Sequence, residues 1–480
     1  MAVVAPCLGR LTRRLALARA GAGLAAGSVL AACARPASQA APAPQPRAGA
    51  TLVVFQANNQ GVPWNATTLS LYQDFVDSTF NAQNPTLQAT VFAGGSGNAA
   101  AQLVATAAGR GFADIYEGCC DDVATLESAG ALLALDGYLR QDNLQTSLWS
   151  PGHIAGLTFN GQLFGLPSYD GPAVLAYRQD LLDDLGLQYP DPTWTYQDAA
   201  SLWQSCTGTT SRGSKRRGVD VIFDEAATTW QFWLKGWGVE IMDAGHTTCT
   251  ANTPAGAEAL SYLANLHTTG VMQAGSGTGD LASGSVVFSM CGGWNVFDEA
   301  TQLGTKFKWD LLPMPAWPQG KATFGNVDFY ALNRASQNPD AAWEVLKWLT
   351  AQPDWQRFQM KATMVQPCLL SLWDEWQSIV TTVAPPMKGK ALHWYQDAAL
   401  GYAYATLHFS YAPAQANAIA DQWLDAVWNG QVGAQAGLGQ IATQINALET
   451  VARAEAGLGA AAAKAFPTSG PALAAAAPGS

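Results

Sequence analysis

Residues 51–116 run TLVVFQANNQGVPWNATTLSLYQDFVDSTFNAQNPTLQATVFAGGSGNAAAQLVATAAGRGFADIY. The opening Thr51-Leu52-Val53-Val54-Phe55 is short and apolar, as a buried strand requires. Residues 67–83 then set Leu69, Tyr72, Phe75, Val76 and Phe80 at helical spacing. Gln88-Ala89-Thr90-Val91-Phe92 reads as a second strand ending in Gly94-Gly95-Ser96-Gly97, residues 98–109 as a helix, and Ala113-Asp114-Ile115-Tyr116 as a third strand. Strand alternating with helix predicts an α/β protein with a parallel sheet. Ligands of such sheets bind at the strand ends, here the loops 56–65, 93–98 and 117–122.

The same alternation continues downstream. Strands are expected at 174–177, 219–223, 286–290, 309–313 and 328–332. Helices are expected at 178–185, 196–206, 226–237, 254–269, 339–350, 354–361, 411–428 and 437–454. The tail 456–480 is rich in Ala, Gly and Pro and reads as disordered. At ~100–200 residues per domain, 480 residues suggest two or three domains.

The composition excludes some classes. With 49% apolar residues, wholesale disorder is ruled out. The net charge of −11 argues against a nucleic-acid binder, which needs a basic face. The 18 Trp suit either a core or stacking on a flat ligand.

Residues 8–32 join a basic stretch (Arg10, Arg13, Arg14, Arg19) to an Ala/Gly-rich apolar run, the pattern of an export signal over 1–32. The pair Arg13-Arg14 hints at the twin-arginine route. The end of the run, Leu30-Ala31-Ala32-Cys33, resembles the lipobox of bacterial lipoproteins. That resemblance implies a lipidated Cys33, a Pro/Ala-rich tether over 33–50 and a position on the outer face of the cytoplasmic membrane. Six further cysteines outside the cell suggest disulfides. Of the fifteen connectivities, Cys206–Cys249 and Cys291–Cys368 are favoured. No metal site is expected, since there is no CxxC pair and the His are scattered.

Several segments, in order, resemble the bacterial extracellular solute-binding proteins of family 1, the maltose-binding-like type. GQLFGLPSYDGPAVLAYRQDLLDDLG (161–186) is similar to its G-x-x-Y-G-L-P … Y-N-K-D-L-F … G-L core, although Arg178-Gln179 replaces the usual Asn-Lys. Pro192-Thr193-Trp194, GSVVFSMCGGW (284–294), DLLPMP (310–315) and NPDAAWEVLKWLT (338–350) are similar to four further steps. The resemblance spans roughly 51–450. It implies two Rossmann-like lobes joined by hinge strands, the periplasmic-binding-protein type II fold, with lobe one at 51–168 and 312–366 and lobe two at 169–308 and 368–455. It also implies a monomeric ABC-importer component that binds a carbohydrate in the cleft and delivers it to a permease, with no cofactor and no chemistry. A sensory or adhesive lipoprotein, or a glycosidase with two carboxylates ~5–9.5 Å apart, is the alternative.

A sugar offers C–H faces and a rim of hydroxyls, so its site needs an aromatic plane with Asp, Asn or Gln around it. Trp294 follows Gly292-Gly293 at a strand end and is the first candidate plane; the other reading is a core Trp. Trp64 sits among Asn58, Asn59 and Gln60. Trp230 shares a helical face with Trp233, where such stripes more often serve the core. Asp170 and Tyr169 lie at the expected first lobe crossing. Asp121 or Asp122 binds a hydroxyl or caps the helix that follows. Asn326 and Asp328 lie in a Gly325-Asn326-Val327-Asp328 turn.

Overall fold

The computed structural model describes residues 49–57, 65–93, 113–119, 122–210, 213–222, 226–243, 245–275, 277–405, 407, 409 and 411–455. The signal segment, Cys33, Trp64, the 98–109 helix, Asp121 and the tail lie outside them.

Three parallel strands open the fold, with Thr51–Ala57 between Leu87–Ala93 and Ile115–Gly118. Leu87–Ala93 is the edge, and two side chains from the preceding helical segment occupy its outer backbone groups. Asn81 Nδ2 donates to Ala89 O at 2.9 Å and Asn81 Oδ1 accepts from Ala89 N at 2.7 Å. Gln73 Oε1 accepts from Val91 N at 2.9 Å. Satisfied edge groups cannot template a foreign strand.

The antiparallel strand Thr323–Leu332 follows Ile115–Gly118 in the sheet, and next to it runs the 13-residue crossing strand Leu166–Arg178, buried along its whole length. Its first part, to Pro172, pairs with Thr323–Leu332. From Ala173 onward it pairs with Val286–Gly292 on one edge and Trp309–Leu312 on the other. Lys215–Val221 extends the sheet parallel to Val286–Gly292, with Met272–Ala274 beyond. A single strand thus serves both halves of the molecule.

Sequence reading places a turn and short strand at 161–167 and a strand at 174–177, whereas the structure runs one strand through Pro167, Gly171 and Pro172, residues that ordinarily interrupt a ladder. The structure accommodates both prolines at irregular points. Pro167 lies at a register shift opposite Asp328 and Phe329. Pro172 lies where the edge partners change, between Gln366–Pro367, paired with Asp170 and Tyr169, and Gly292, paired with Ala173.

Two hydrophobic cores flank the sheet. The first gathers Val53, Phe55, Ile115, Leu166, Phe329, Trp343, Leu346 and Trp355. The second gathers Trp203, Val219, Trp233, Leu263, Phe288, Met290 and Leu424. Most of the Trp residues serve them; Trp149 Nε1 donates to Thr350 O, Trp309 to Gly304 O and Trp376 to Met364 O, whereas the indole N–H groups of Trp203, Trp233, Trp237 and Trp373 find no acceptor among the described residues. Two helices that sequence reading passed over, Trp373–Val383 and His393–Gly401, join the first core through Trp373, Trp376, Val380 and Tyr395.

The expected disulfides do not form. Cys206, Cys249, Cys291 and Cys368 are all free and buried. Each is packed into its own surroundings: Cys368 Sγ lies 3.0 Å from Pro167 O and 2.9 Å from Gln356 Nε2, and Cys291 Sγ lies 3.7 Å from Ser289 Oγ. Burial pushes the Cys206 thiol up to about 12 and the other three upward as well, so they sit as protonated apolar fillers.

Candidate functional site

Alternate residues of a strand face opposite ways. On the crossing strand, Ala173, Leu175 and Tyr177 enter the second core together with Phe324, and Trp294 packs against that core. Val174 and Ala176 face the first core. The alternation carries Gly171 and Tyr169 onto the Trp294 side, and Asp170 and Ser168 onto the other. Register extends the assignment to the neighbouring strand, where Asp328 pairs with Tyr169, Asn326 with Gly171 and Gly325 with Pro172. Positions 324 and 328 therefore share the face that holds Trp294; the Asn326 side chain lies outside the described ones.

Trp294 is half-buried and meets Phe324 edge-on, with centroids 6.2 Å apart at 81°. The turn that carries it tolerates nothing larger than glycine. A Cβ at Gly292 would stand 2.2 Å from the Trp294 ring, and one at Gly293 would stand 2.0 Å from Gln366 Oε1. Asn295 Oδ1 accepts from Gly292 N at 3.0 Å and ties the turn back.

Tyr169 and Asp328 lie opposite one another at the base of this face, at 2% and 1% exposure. Asp170 lies on the opposite face of the strand. It faces helix Pro151–Gly156, where His153 Nε2 lies 3.5 Å from its Oδ1. Burial pushes its carboxyl upward, and His153 opposes the shift. Trp230 is 1% exposed and packs within the second core. The Asp122 carboxylate accepts from Cys119 N at 3.2 Å and secures the start of its helix.

Sequence reading missed Gln56 and Glu117. Both are buried on neighbouring strands, and Gln56 Oε1 accepts from Glu117 N at 3.3 Å. A polar residue at the end of an apolar run is the signal that could have found them. Among the described residues no group of His, Cys, Asp or Glu is arranged to hold a metal ion. A surface hollow of about 450 Å³ between Pro190, Trp194, Asp198 and Leu202 involves none of the residues above.

Two α/β halves thus share crossing strands, with an indole and a carboxylate on one face of the crossing. The model of the bacterial extracellular solute-binding protein family matches residues 64–354, and the chain belongs to that family. A Brucella abortus binding protein is 24% identical over 233 residues, 46% of this chain and 54% of its own length. An ABC transporter-binding protein of Deinococcus radiodurans is 25% identical over 246 residues, 47% and 56% respectively. The chain thus spans about half the length of the curated relatives it matches.

Among solved structures, an ABC substrate-binding protein from Listeria monocytogenes in complex with cycloalternan superposes with a TM-score of 0.68 at 18% identity, over 84% of this chain and 99% of that one. The cyclic alpha-maltosyl-1,6-maltose binding protein of Arthrobacter globiformis gives 0.67 at 20%, over 84% and 100%. The sugar-binding protein MalE of Xanthomonas citri gives 0.66 at 18%, over 85% and 99%. The fold is the type II periplasmic-binding-protein fold. Among the described residues no helix is long and apolar enough to cross a membrane.

Proposed function

We propose that this protein is the substrate-binding component of an ABC importer, holding a mono- or oligosaccharide between two lobes and passing it unaltered to the permease. The observation that carries the reading is Trp294, an indole left half-open on a glycine-only turn, facing the strand pair that bears Tyr169 and Asp328. An indole plane covers the C–H face of a pyranose, and a carboxylate accepts its hydroxyl protons with charge-assisted strength. The solved structures that share the fold over nearly their full length include proteins that bind cycloalternan and cyclic maltosyl-maltose, which supports the ligand class.

The lobes follow the two cores, the first drawing mainly on 53–166 and 329–399 and the second on 177–272 and 409–445, so Trp373–Val383 and His393–Gly401 go with lobe one and not, as expected from the sequence, with lobe two. A solute that touches both favours the closed arrangement by its differential affinity for it. The protein acts as a monomer tethered through a lipidated Cys33, and Cys33→Ala should move it from the membrane fraction to the medium. The decisive experiment is a titration of the purified protein with a panel of linear and cyclic glucans, read by tryptophan fluorescence. Binding with Trp quenching is expected, and Trp294→Ala should weaken it at least ~10-fold, the loss of an aromatic contact with its buried area. Unchanged affinity in that variant would remove the indole from the site.

A further inference from the structure

We propose that Glu299 is a positioning residue for Trp294, and that its ionisation loosens the turn and weakens solute binding as the medium becomes alkaline. The proposal rests on Trp294 being the stacking plane. The two residues lie on one continuous piece of chain. The turn Gly293–Asn295 leads into Val296–Asp298 and then into the wide turn Glu299–Leu303, closed by Gly304 N donating to Glu299 O at 2.9 Å. Wide turns of this kind inside helices are often found at functional sites.

Val296, Ala300 and Leu303 seat that piece in the first core, Trp309 Nε1 holds Gly304 O, and a further polar anchor acts at Glu299. Tyr395 OH, from helix His393–Gly401, donates to Glu299 Oε1 at 3.0 Å. The same helix packs against the crossing strand. Glu299 is 0% exposed, and its Oε2 has no hydrogen-bond partner. The groups that face it are few. Cys291 comes from Val286–Gly292, Tyr395 from His393–Gly401 and Asp298 from its own segment. Behind Cys291 stands Asp220 on Lys215–Val221, with Asp280 of helix Thr278–Ser283 beyond it. The charges among these groups are all negative.

A neutral Glu299 carboxyl suits such surroundings, and an ionised one does not. Burial pushes it up to about 7, with Asp298 adding to the rise and the Tyr395 and Cys291 hydrogen bonds opposing it. Once ionised, the carboxylate keeps its Tyr395 bond but holds charge on a buried Oε2 with no donor, and that atom reaches water only if the Glu299–Leu303 turn lifts. Lifting the segment tilts the Trp294 turn off Phe324.

The test needs no ligand for its first reading. The difference in tryptophan emission between the protein and its Trp294→Phe variant is followed from pH 5.5 to 9. A transition centred near pH 7 is expected, and it should vanish in Glu299→Gln, which keeps the Tyr395 bond but cannot ionise. Tyr395→Phe removes a donor that favours the ionised form, so the midpoint should rise. A transition that persists in Glu299→Gln, its absence in the unmodified protein, or an unmoved midpoint in Tyr395→Phe overturns the proposal. The second reading is affinity for maltotetraose at pH 6 and 8.5. The unmodified protein should lose at least about fivefold, and Glu299→Gln should stay within about twofold. If maltotetraose and the other glucans bind at neither pH, the carbohydrate reading fails, and the emission titration still decides the role of Glu299.

Discussion

At the scale of single residues, the pleat of the crossing strand sorts Tyr169 from Asp170. A shift of one residue moves a side chain to the other face of a sheet. Asp328→Asn should therefore weaken sugar binding by about tenfold, the worth of one charged hydrogen bond, while Asp170→Asn should leave affinity within about twofold. Isothermal titration of both variants checks this, and the reverse order would place Asp170 in the cleft. The turn before Trp294 makes a second prediction. Gly293→Ala sets a methyl group 2.0 Å from Gln366 Oε1 and should cost about 1–3 kcal/mol in chemical denaturation. Gln366→Ala in the same chain should recover most of that loss, since the two residues are coupled through one contact. Strand positions were legible in the sequence because apolar runs mark them. The facing of Asp170 was not, because every residue of that strand is buried and no polar alternation records the pleat.

At the scale of elements, local pattern was enough where one face met solvent or a cap closed the end. Helix Tyr196–Cys206 begins one residue after Thr195, whose side chain and that of Asp198 bond reciprocally across the first turn. Pro254 and Pro339 open their helices in the structure as their positions in sequence suggest. Pattern failed where tertiary partners decide. Pro167 and Pro172 speak against a long strand, yet the change of edge partners leaves room for them. Trp373, Trp376 and Val380 are spaced for a helix, but the capping signal before them is absent, because no side-chain bond caps that end. The edge strand Leu87–Ala93 shows what holds an element once it is placed. Asn81→Ala would strip the amide of Ala89 of its side-chain acceptor and leave its carbonyl only the longer bond from Gln73 Nε2 at 3.4 Å, at a residue 1% exposed. A loss of about 2–3 kcal/mol is expected, larger than for an exposed asparagine, with early hydrogen exchange at Ala89 and its neighbours.

At the scale of the whole molecule, buried acids set how stability varies with pH. Asp170, Asp220 and Glu299 are fully buried, and desolvation raises all three carboxyls, Glu299 to about 7. Each therefore binds its proton more tightly in the folded than in the unfolded chain. The stability they contribute is fully present below the ordinary carboxylate range and is lost as pH rises through their folded values. His267 acts in the opposite sense near neutrality, because burial lowers its imidazole. The exposed Asp142, Asp183, Asp191 and Asp198 are lowered by hydrogen bonds, and what they contribute is lost only in stronger acid. Between pH 5 and 8 these three carboxyls, joined by Glu127 and Glu449, which burial also raises, thus stand against one half-buried imidazole among the described residues. The melting temperature should fall across that window by about 5 °C or more, and the combined variant Asp220→Asn, Glu299→Gln should flatten the slope. A melting temperature that rises from pH 5 to 8 would show that His267 or unburied acids dominate. The same melting curve should be unmoved by a reducing agent, since Cys206, Cys249, Cys291 and Cys368 are free thiols and the fold is held by its two cores and one shared strand rather than by cross-links.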